Sequence, residues 1–236
     1  MSHSVTFTEL GPADFRLAID RFVAVYSAAM NPPERMLAGR ESILERHAAN
    51  PGFRALAAVA VDGVAGDGDG GEAKLPSMRG ARIAGFTYGF HGAYGQWWHD
   101  MVAGALAASR DSSGTTPVTA WLSDSFEVAE LHVLPAYQGG GIGRALLLRL
   151  LSDRPERTAL LSTQDAESRA RRLYRGVGFT DLLTGFRFSG GEPPYAVMGA
   201  ALPLRQAHHS PDGDQPAGYR PDAASAPPPN SPRPSS

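Results

Sequence analysis

The 236-residue sequence contains no cysteine, which excludes disulfides, cysteine-bound zinc and a thiolate nucleophile. No stretch is apolar enough to span a bilayer, and the N-terminus lacks the apolar core of a signal peptide. The charge is nearly balanced, at 24 acidic and 22 basic residues, so nothing indicates nucleic acid or an anionic membrane as a partner. We therefore expect a cytoplasmic protein that binds neither.

Two stretches have few apolar side chains and should lie outside the folded core. Residues 205–236 contain eight prolines and are predicted to form a disordered tail, because they cannot offset their ordering entropy by burial. Residues 62–81 are rich in glycine and indicate a flexible insertion between two strands. The sequence thus predicts one domain at residues 1–204, interrupted by this insertion.

Helical and strand-like patterns alternate in the rest of the chain. Residues 13–30 carry apolar side chains at helical spacing, and residues 34–50 predict a second helix that ends before Pro51. Two strands and a further helix at residues 94–109 follow, and then strand, helix, strand, helix and two closing strands. This order predicts a mixed α/β sheet with helices on both faces.

A run of glycines, in the segment QGGGIGR, separates a strand-like stretch from a leucine-rich helix. Glycine at this density suits unusual backbone angles, and the start of the next helix offers N–H groups to an anion such as phosphate. The dinucleotide fingerprint G-x-G-x-x-G fails because its last position is Arg144 or Leu146, and no Gly-Lys pair supports a P-loop. What remains is Q-x-x-G-x-G, formed by Gln138, Gly141 and Gly143.

The segment ELHVLPAYQGGGIGRALL, at residues 130–147, resembles the acyl-coenzyme A motif of the GNAT N-acetyltransferase superfamily. Further along, ARRLYRGVGF at residues 170–179 is similar to the second landmark of that family, A-x-x-L-Y-x-x-x-G-F. The resemblance covers residues 7–204 in element order and is sharp over residues 127–179. It implies the GNAT acyl-CoA N-acyltransferase fold: an α/β structure with a mixed, mostly antiparallel central sheet, a splayed V between the two motif strands, and helices on both faces.

By this resemblance, acetyl-CoA is the co-substrate and its pyrophosphate lies on the glycine turn, where backbone N–H groups can approach phosphate oxygens. The strand before the turn would pair its backbone with the pantetheine arm, as an added strand does. Relatives often carry Asn where this chain has Glu167, so that contact is lost or moves to Ser168 or Gln164. The residues expected to bind the cofactor are Leu131, His132, Val133, Gln138, Gly139, Gly140, Gly141, Ile142, Gly143, Arg144 and Ser168.

Because no cysteine is available, we expect the acceptor amine to attack the thioester directly in a ternary complex. The candidate bases are Glu127, where many family members carry a catalytic carboxylate, and Glu130, which is slightly preferred because it lies nearer the expected thioester. Strict alternation would put them on opposite faces of the strand, unless the bulge found in the family intervenes. His132 is a weaker candidate. By the resemblance, Tyr174 is the general acid, since the family's tyrosine hydrogen-bonds the coenzyme sulfur.

The expected acceptor is a primary amine of a small molecule or peptide. In this fold its pocket would recruit Tyr26, Trp97 and Trp98. No set of convergent ligands indicates a metal. A monomer and a homodimer are both open. The alternative function is that of a catalytically silent relative, which would bind coenzyme A as a sensor or scaffold.

Overall fold

The computed structural model describes residues 4–61, 81–109, 119–188 and 193–204. The predicted insertion at 62–81, except Ala81, and the predicted tail at 205–236 lie outside the described residues. The strands are β1 (Ser4–Leu10), β2 (Arg54–Val61), β3 (Arg82–Gly92), β4 (Ser125–Val133), β5 (Thr158–Gln164), β6 (Thr180–Phe186) and β7 (Tyr195–Ala201). The α-helices are α1 (Pro12–Arg16), α2 (Ile19–Met30), α3 (Arg40–His47), α4 (Trp97–Ala108), α5 (Thr119–Leu122), α6 (Ile142–Leu151) and α7 (Arg169–Arg175).

The strands form one open sheet in the order β1-β2-β3-β4-β5-β7-β6. Neighbouring strands are antiparallel except β4 and β5, which run parallel. The pairing of β4 with β5 ends at Glu127, which lies opposite Leu160, although both strands continue. The strands therefore separate beyond this pair and leave a V-shaped gap in the sheet. The expected GNAT-type sheet is confirmed.

Helices cover both faces of the sheet. On one face, Leu147 of α6 belongs to a core that includes Phe126 of β4. On the other face, Phe22 of α2 stacks on Phe86 of β3, with ring centroids 4.6 Å apart. Truncating a buried leucine or phenylalanine costs about 2–5 kcal/mol, so these two cores hold the sheet firmly between the helical layers.

One extra residue on β4 decides where its acidic side chains point. The register with β3 shifts between Tyr88 and Gly89, which leaves Ala129 as a bulge. In the resulting register, Glu127 and Glu130 both lie on the face that Tyr88 occupies, because directly paired residues share a face. Strict alternation is therefore wrong for this strand, and the two carboxyl groups lie on the same side of the sheet.

The helix predicted at residues 34–50 is broken. Gly39 adopts a φ of +75°, so a 3₁₀ turn over Glu34–Met36 ends before it and α3 starts at Arg40. The helix predicted at residues 13–30 is likewise divided into α1 and α2, and β1 and α5 are missing from the sequence-based order. Among the helices of the described ranges, none has the length and apolar character that a membrane crossing requires.

Candidate active site

The turn between β4 and α6 has the backbone that its glycines predict. Gly139 and Gly141 have φ angles of +84° and +82°, a region that side chains with a Cβ disfavour. Gly141 caps α6, and the first helical hydrogen bond runs from Ala145 N to Gly141 O. The N–H groups of residues 142–144 precede this hydrogen-bond ladder and are directed out of the helix end, where they can hold an anion.

Gln138 holds this turn in place. Its Nε2 donates a hydrogen bond of 2.9 Å to the carbonyl oxygen of Val133. The bond ties the end of β4 to the start of the glycine turn, so the amide of Gln138 acts on the protein backbone itself.

A cavity of about 320 Å³ opens between the glycine turn, the end of β4 and α7. Tyr174 is part of its wall, whereas Gly140 and Ser168 are not. Ser168 instead caps α7, where its Oγ accepts a hydrogen bond of 3.1 Å from Arg171 N. The wall brings together nine of the eleven residues expected to bind the cofactor: Leu131, His132, Val133, Gln138, Gly139, Gly141, Ile142, Gly143 and Arg144.

The wall also contains residues that the sequence analysis did not assign to the site. Arg169, at the start of α7, is exposed there and adds a second positive charge to that of Arg144. Ala170 and Leu173 line the cavity with Tyr174, and their i, i+3, i+4 spacing places the three on one face of α7. That spacing in the A-x-x-L-Y motif was the signal that could have identified them.

Tyr174 is the hydroxyl-bearing residue that α7 contributes to the cavity wall. Only 8 % of the residue is exposed, and burial raises the pKa of its hydroxyl to about 12. Tyr174 therefore keeps its proton at neutral pH and can donate it to a group in the cavity.

Glu130 is buried among donors. Its Oε1 accepts hydrogen bonds from Arg40 Nη2 at 2.6 Å and from Tyr88 Oη at 3.1 Å. Its Oε2 lies 3.1 Å from His132 Nε2. Burial acts to raise the pKa of Glu130, but the contacts with His132 and Arg40 outweigh it and hold the pKa below its ordinary value. Glu130 is therefore a carboxylate at neutral pH.

Glu127 is buried to a similar extent but lacks such partners. Among the described residues, nothing donates a hydrogen bond to its Oε2. Burial raises the pKa of Glu127 to about 8. At neutral pH this carboxyl group is mainly protonated, in contrast to Glu130 on the same strand.

Tyr26 lies behind His132 and is not part of the cavity wall. The two rings meet edge to face, with centroids 5.1 Å apart. The guanidinium of Arg40 lies 3.6 Å from the centre of the Tyr26 ring, which adds a cation–π contact. Arg40 and Tyr88 precede Glu130 by 90 and 42 residues, so no local pattern could have assigned them to the site.

Comparisons with known proteins agree with this geometry. A family model described as the acetyltransferase (GNAT) domain matches residues 93–181. A GCN5-like protein acetyltransferase of Mycobacterium tuberculosis is 35% identical over 207 residues, which cover 85% of this chain and 100% of that protein. The chain belongs to the GNAT acetyltransferase family. It is an N-acetyltransferase.

Two further GNAT-related likenesses are more limited. A mycothiol acetyltransferase of Kineococcus radiotolerans is 35% identical over 100 residues, which cover 40% of this chain and 32% of that protein. The crystal structure of NAA60 of Arabidopsis thaliana, in complex with a bisubstrate analogue, has a TM-score of 0.51 and 16% identity over 84% of this chain and 99% of that chain. At this identity the likeness shows the fold alone.

In this GNAT protein the two tryptophans expected near the acceptor begin α4, where one contacts β5 and the other lies at the surface. Trp98 Nε1 donates a hydrogen bond of 3.1 Å to Ser162 Oγ on β5, the second arm of the V. Trp97 is 60 % exposed and packs against Phe188, with ring centroids 5.3 Å apart. Neither tryptophan is part of the cavity wall.

Proposed function

We propose that the protein transfers the acetyl group of acetyl-CoA to a primary amine of a small molecule or peptide, by direct attack in a ternary complex. The observation that carries the proposal is the cavity at the V of the sheet. One wall of this cavity is a turn with two glycines at positive φ, and another wall carries the buried, protonated Tyr174.

The residues present fit the donor that the family implies. The free N–H groups of residues 142–144 and the charges of Arg144 and Arg169 suit a pyrophosphate. Beyond Glu127, β4 has no pairing with β5, so its backbone groups on that edge are open to an amide-rich arm. The cavity wall beside this edge is apolar at Leu131 and Leu173, as the methylene groups of such an arm require.

The chemistry needs one proton acceptor and one proton donor. An alkylammonium group has a pKa of about 10, so the acceptor must lose a proton before its nitrogen can attack. Of the two acidic groups of β4, Glu127 is mainly protonated at neutral pH, so we assign this step to Glu130, acting directly or through a neighbour. Tyr174 supplies the proton that the departing thiolate takes up. This division of roles gives the buried carboxylate and the buried hydroxyl separate tasks.

Release of free thiol from acetyl-CoA tests the proposal, with spermidine, lysine and a pentapeptide with a free N-terminus as acceptors. We expect turnover with at least one amine at a rate well above hydrolysis, and acetylated product in the mass spectrum. Coenzyme binding without any turnover would indicate the silent sensor instead. The absence of both coenzyme binding and turnover would reject the proposed function.

The role of the turn is tested by Gly141→Val. A β-branched side chain strains a backbone at φ +82°, so we expect the Kd for acetyl-CoA in calorimetry to rise at least 100-fold. The matched control is Gly185→Val, which introduces similar strain at φ +65° in β6, away from the cavity wall. Unchanged affinity in a folded Gly141→Val protein would contradict the assignment.

A further inference from the structure

We propose that His132 is the catalytic base of the acetyl transfer, and that Glu130 is a positioning residue that acts through it. The inference rests on the proposed function, because it concerns the proton that the acceptor amine must lose. It departs from the expectation that a glutamate of β4 receives this proton directly.

The contacts of Glu130 leave it poorly suited to receive a proton from a substrate. Its Oε1 accepts from both Arg40 and Tyr88, at 2.6 Å and 3.1 Å, and its Oε2 faces His132 Nε2 at 3.1 Å. Its side chain is only 7 % exposed, and Glu130 is not part of the cavity wall. A carboxylate that accepts two hydrogen bonds and also contacts a histidine is stabilised in its ionised form.

His132 has the position that Glu130 lacks. It is part of the cavity wall, and its side chain keeps 13 % exposure. Its ring is held by Tyr26 at 5.1 Å and Phe86 at 5.6 Å between centroids, so its orientation is fixed by packing. Because Nε2 lies 3.1 Å from Glu130 Oε2, the tautomer that carries its proton on Nε2 is favoured, and Nδ1 is left with the lone pair that can take a proton.

The hydrogen-bond polarity behind this pair is consistent. Tyr88 has one hydroxyl proton and gives it to Glu130, so His47 Nδ1, 3.0 Å from the Tyr88 hydroxyl, donates its proton to that oxygen. His47 and Tyr88 thus form a chain of donors that ends at the carboxylate, and the carboxylate contacts His132 as in the carboxylate–histidine pair of a hydrolase triad. The charged and titratable groups around the pair are Tyr26 from α2, Arg40 and His47 from α3, Tyr88 from β3 and Glu127 from β4.

The protons balance in the following sequence. The ammonium group of the acceptor gives one proton to His132 Nδ1, and the imidazolium is stabilised by Glu130. The neutral nitrogen then forms its bond to the acetyl carbon, and the carbon–sulfur bond breaks. Tyr174 protonates the thiolate and regains a proton from the nitrogen that has become the amide. His132 returns its proton to water.

Steady-state kinetics with the fastest amine of the panel named above test the inference. We expect His132→Gln to lower kcat/KM by about 10²–10⁴-fold, and Glu130→Gln to lower it by about 10–100-fold. The kcat/KM of the double variant should lie within threefold of that of His132→Gln, because substitutions of residues that act as one unit do not have additive effects. In Glu130→Gln the loss should fall on kcat, with the KM for acetyl-CoA unchanged within threefold, since Glu130 is not part of the cavity wall.

The chain offers a matched control. His91 also contacts a buried glutamate, Glu156, at 3.4 Å. It lies outside the cavity wall and five residues along β3 from Phe86, the residue that pairs with His132, so the two histidines are roughly 17 Å apart. His91→Gln should keep wild-type kcat/KM. The affinity for acetyl-CoA in calorimetry and the melting temperature of each variant show whether it is folded, and His132→Asn replaces His132→Gln where the latter does not fold.

The outcomes separate the two proposals. Wild-type protein that turns over no amine of the panel would reject the proposed function itself. Wild-type turnover with His132→Gln within fivefold of wild type would reject only the present inference. Abolished activity in Glu130→Gln with near-normal activity in His132→Gln would identify Glu130 as the direct base. Strictly additive losses in the double variant would also overturn the positioning role.

Discussion

Glu127 and Glu130 offer a comparison within one strand. They are three residues apart on β4 and lie on the same face of the sheet. The exposed fraction is 6 % for Glu127 and 8 % for Glu130. The pKa of Glu127 is raised to about 8, whereas the pKa of Glu130 is held below its ordinary value. Two identical side chains with equal burial thus differ in charge at neutral pH.

The difference comes from their partners. Glu130 receives hydrogen bonds from Arg40 of α3 and Tyr88 of β3, and it contacts His132. The pKa of Glu127 is raised by desolvation, because the carboxyl group is buried. The comparison shows that burial by itself does not determine whether a carboxyl group is ionised, because hydrogen bonds and opposite charges can outweigh desolvation.

The largest expected effect is the loss of Glu130. We expect Glu130→Ala to lower the free energy of unfolding by about 3–5 kcal/mol at pH 7, because it leaves Arg40 without its counter-charge and Tyr88 without its acceptor in a buried site. Glu127→Ala, on the same strand and face, should cost no more than about 1 kcal/mol, because relief of the raised pKa of Glu127 offsets the lost packing. Urea unfolding of both variants measures the difference, and equal losses would contradict the comparison.

The second effect has the opposite sign and depends on pH. Glu127 ionises above pH 4.5 in the unfolded chain, but the folded chain keeps it protonated up to about pH 8. The contribution of Glu127 to stability is therefore present below pH 4.5 and is lost as the pH rises to about 8. Glu127→Gln should therefore stabilise the fold by about 2–4 kcal/mol at pH 8 and leave it unchanged at pH 4. Thermal unfolding at both pH values measures this. A gain of equal size at both would show that ionisation is not its cause.

The third effect concerns the cation beside Glu130. We expect Arg40→Met to cost about 2 kcal/mol at pH 7, because it removes the 2.6 Å ion pair and the contact with the Tyr26 ring. The lowered pKa of Glu130 contributes stability above the ordinary glutamate value, and this contribution is lost as the pH falls. The cost of Arg40→Met should therefore shrink towards pH 3 in urea unfolding; a cost independent of pH would mean that the arginine acts only through packing.

The smallest effect concerns a single hydroxyl group. Tyr88→Phe removes the 3.1 Å hydrogen bond to Glu130 and the acceptor of His47, and it should cost about 1–2 kcal/mol in chemical denaturation. Tyr94→Phe serves as the control, because Tyr94 is 92 % exposed and its hydroxyl can bond to water in either state. A Tyr88→Phe protein as stable as its control would show that Glu130 does not need the hydrogen bond from Tyr88.

The residues that the sequence analysis assigned to the site and that line the cavity share one property: they belong to motifs that are local in sequence. The turn at residues 138–144 could be identified because glycine content and the following helix are read from adjacent residues. Tyr174 belongs to a motif on a single helix. Arg40 and Tyr88 escaped prediction because their contacts with Glu130 span 90 and 42 residues, and side-chain type alone does not indicate such a pairing.

The bulge at Ala129 shows the same limit within a strand. The alternation of side chains along β4 predicts opposite faces for Glu127 and Glu130, and a single extra residue in the pairing with β3 reverses this. Nothing in the segment SFEVAELHV marks the position of the extra residue, because the register depends on the partner strand. The break at Gly39, in contrast, lies at a residue type that permits it.

The sequence by itself determined most of the alternation of helices and strands, the glycine turn before α6 and its resemblance to a GNAT motif, because each depends on neighbours along the chain. Only the tertiary structure decided that the two glutamates share a face, that one is charged and the other protonated, and that His132 lies between a carboxylate and the cavity. These properties depend on which groups from distant elements exclude water or supply a charge. The order of residues along the chain does not show which of those groups come close together in space.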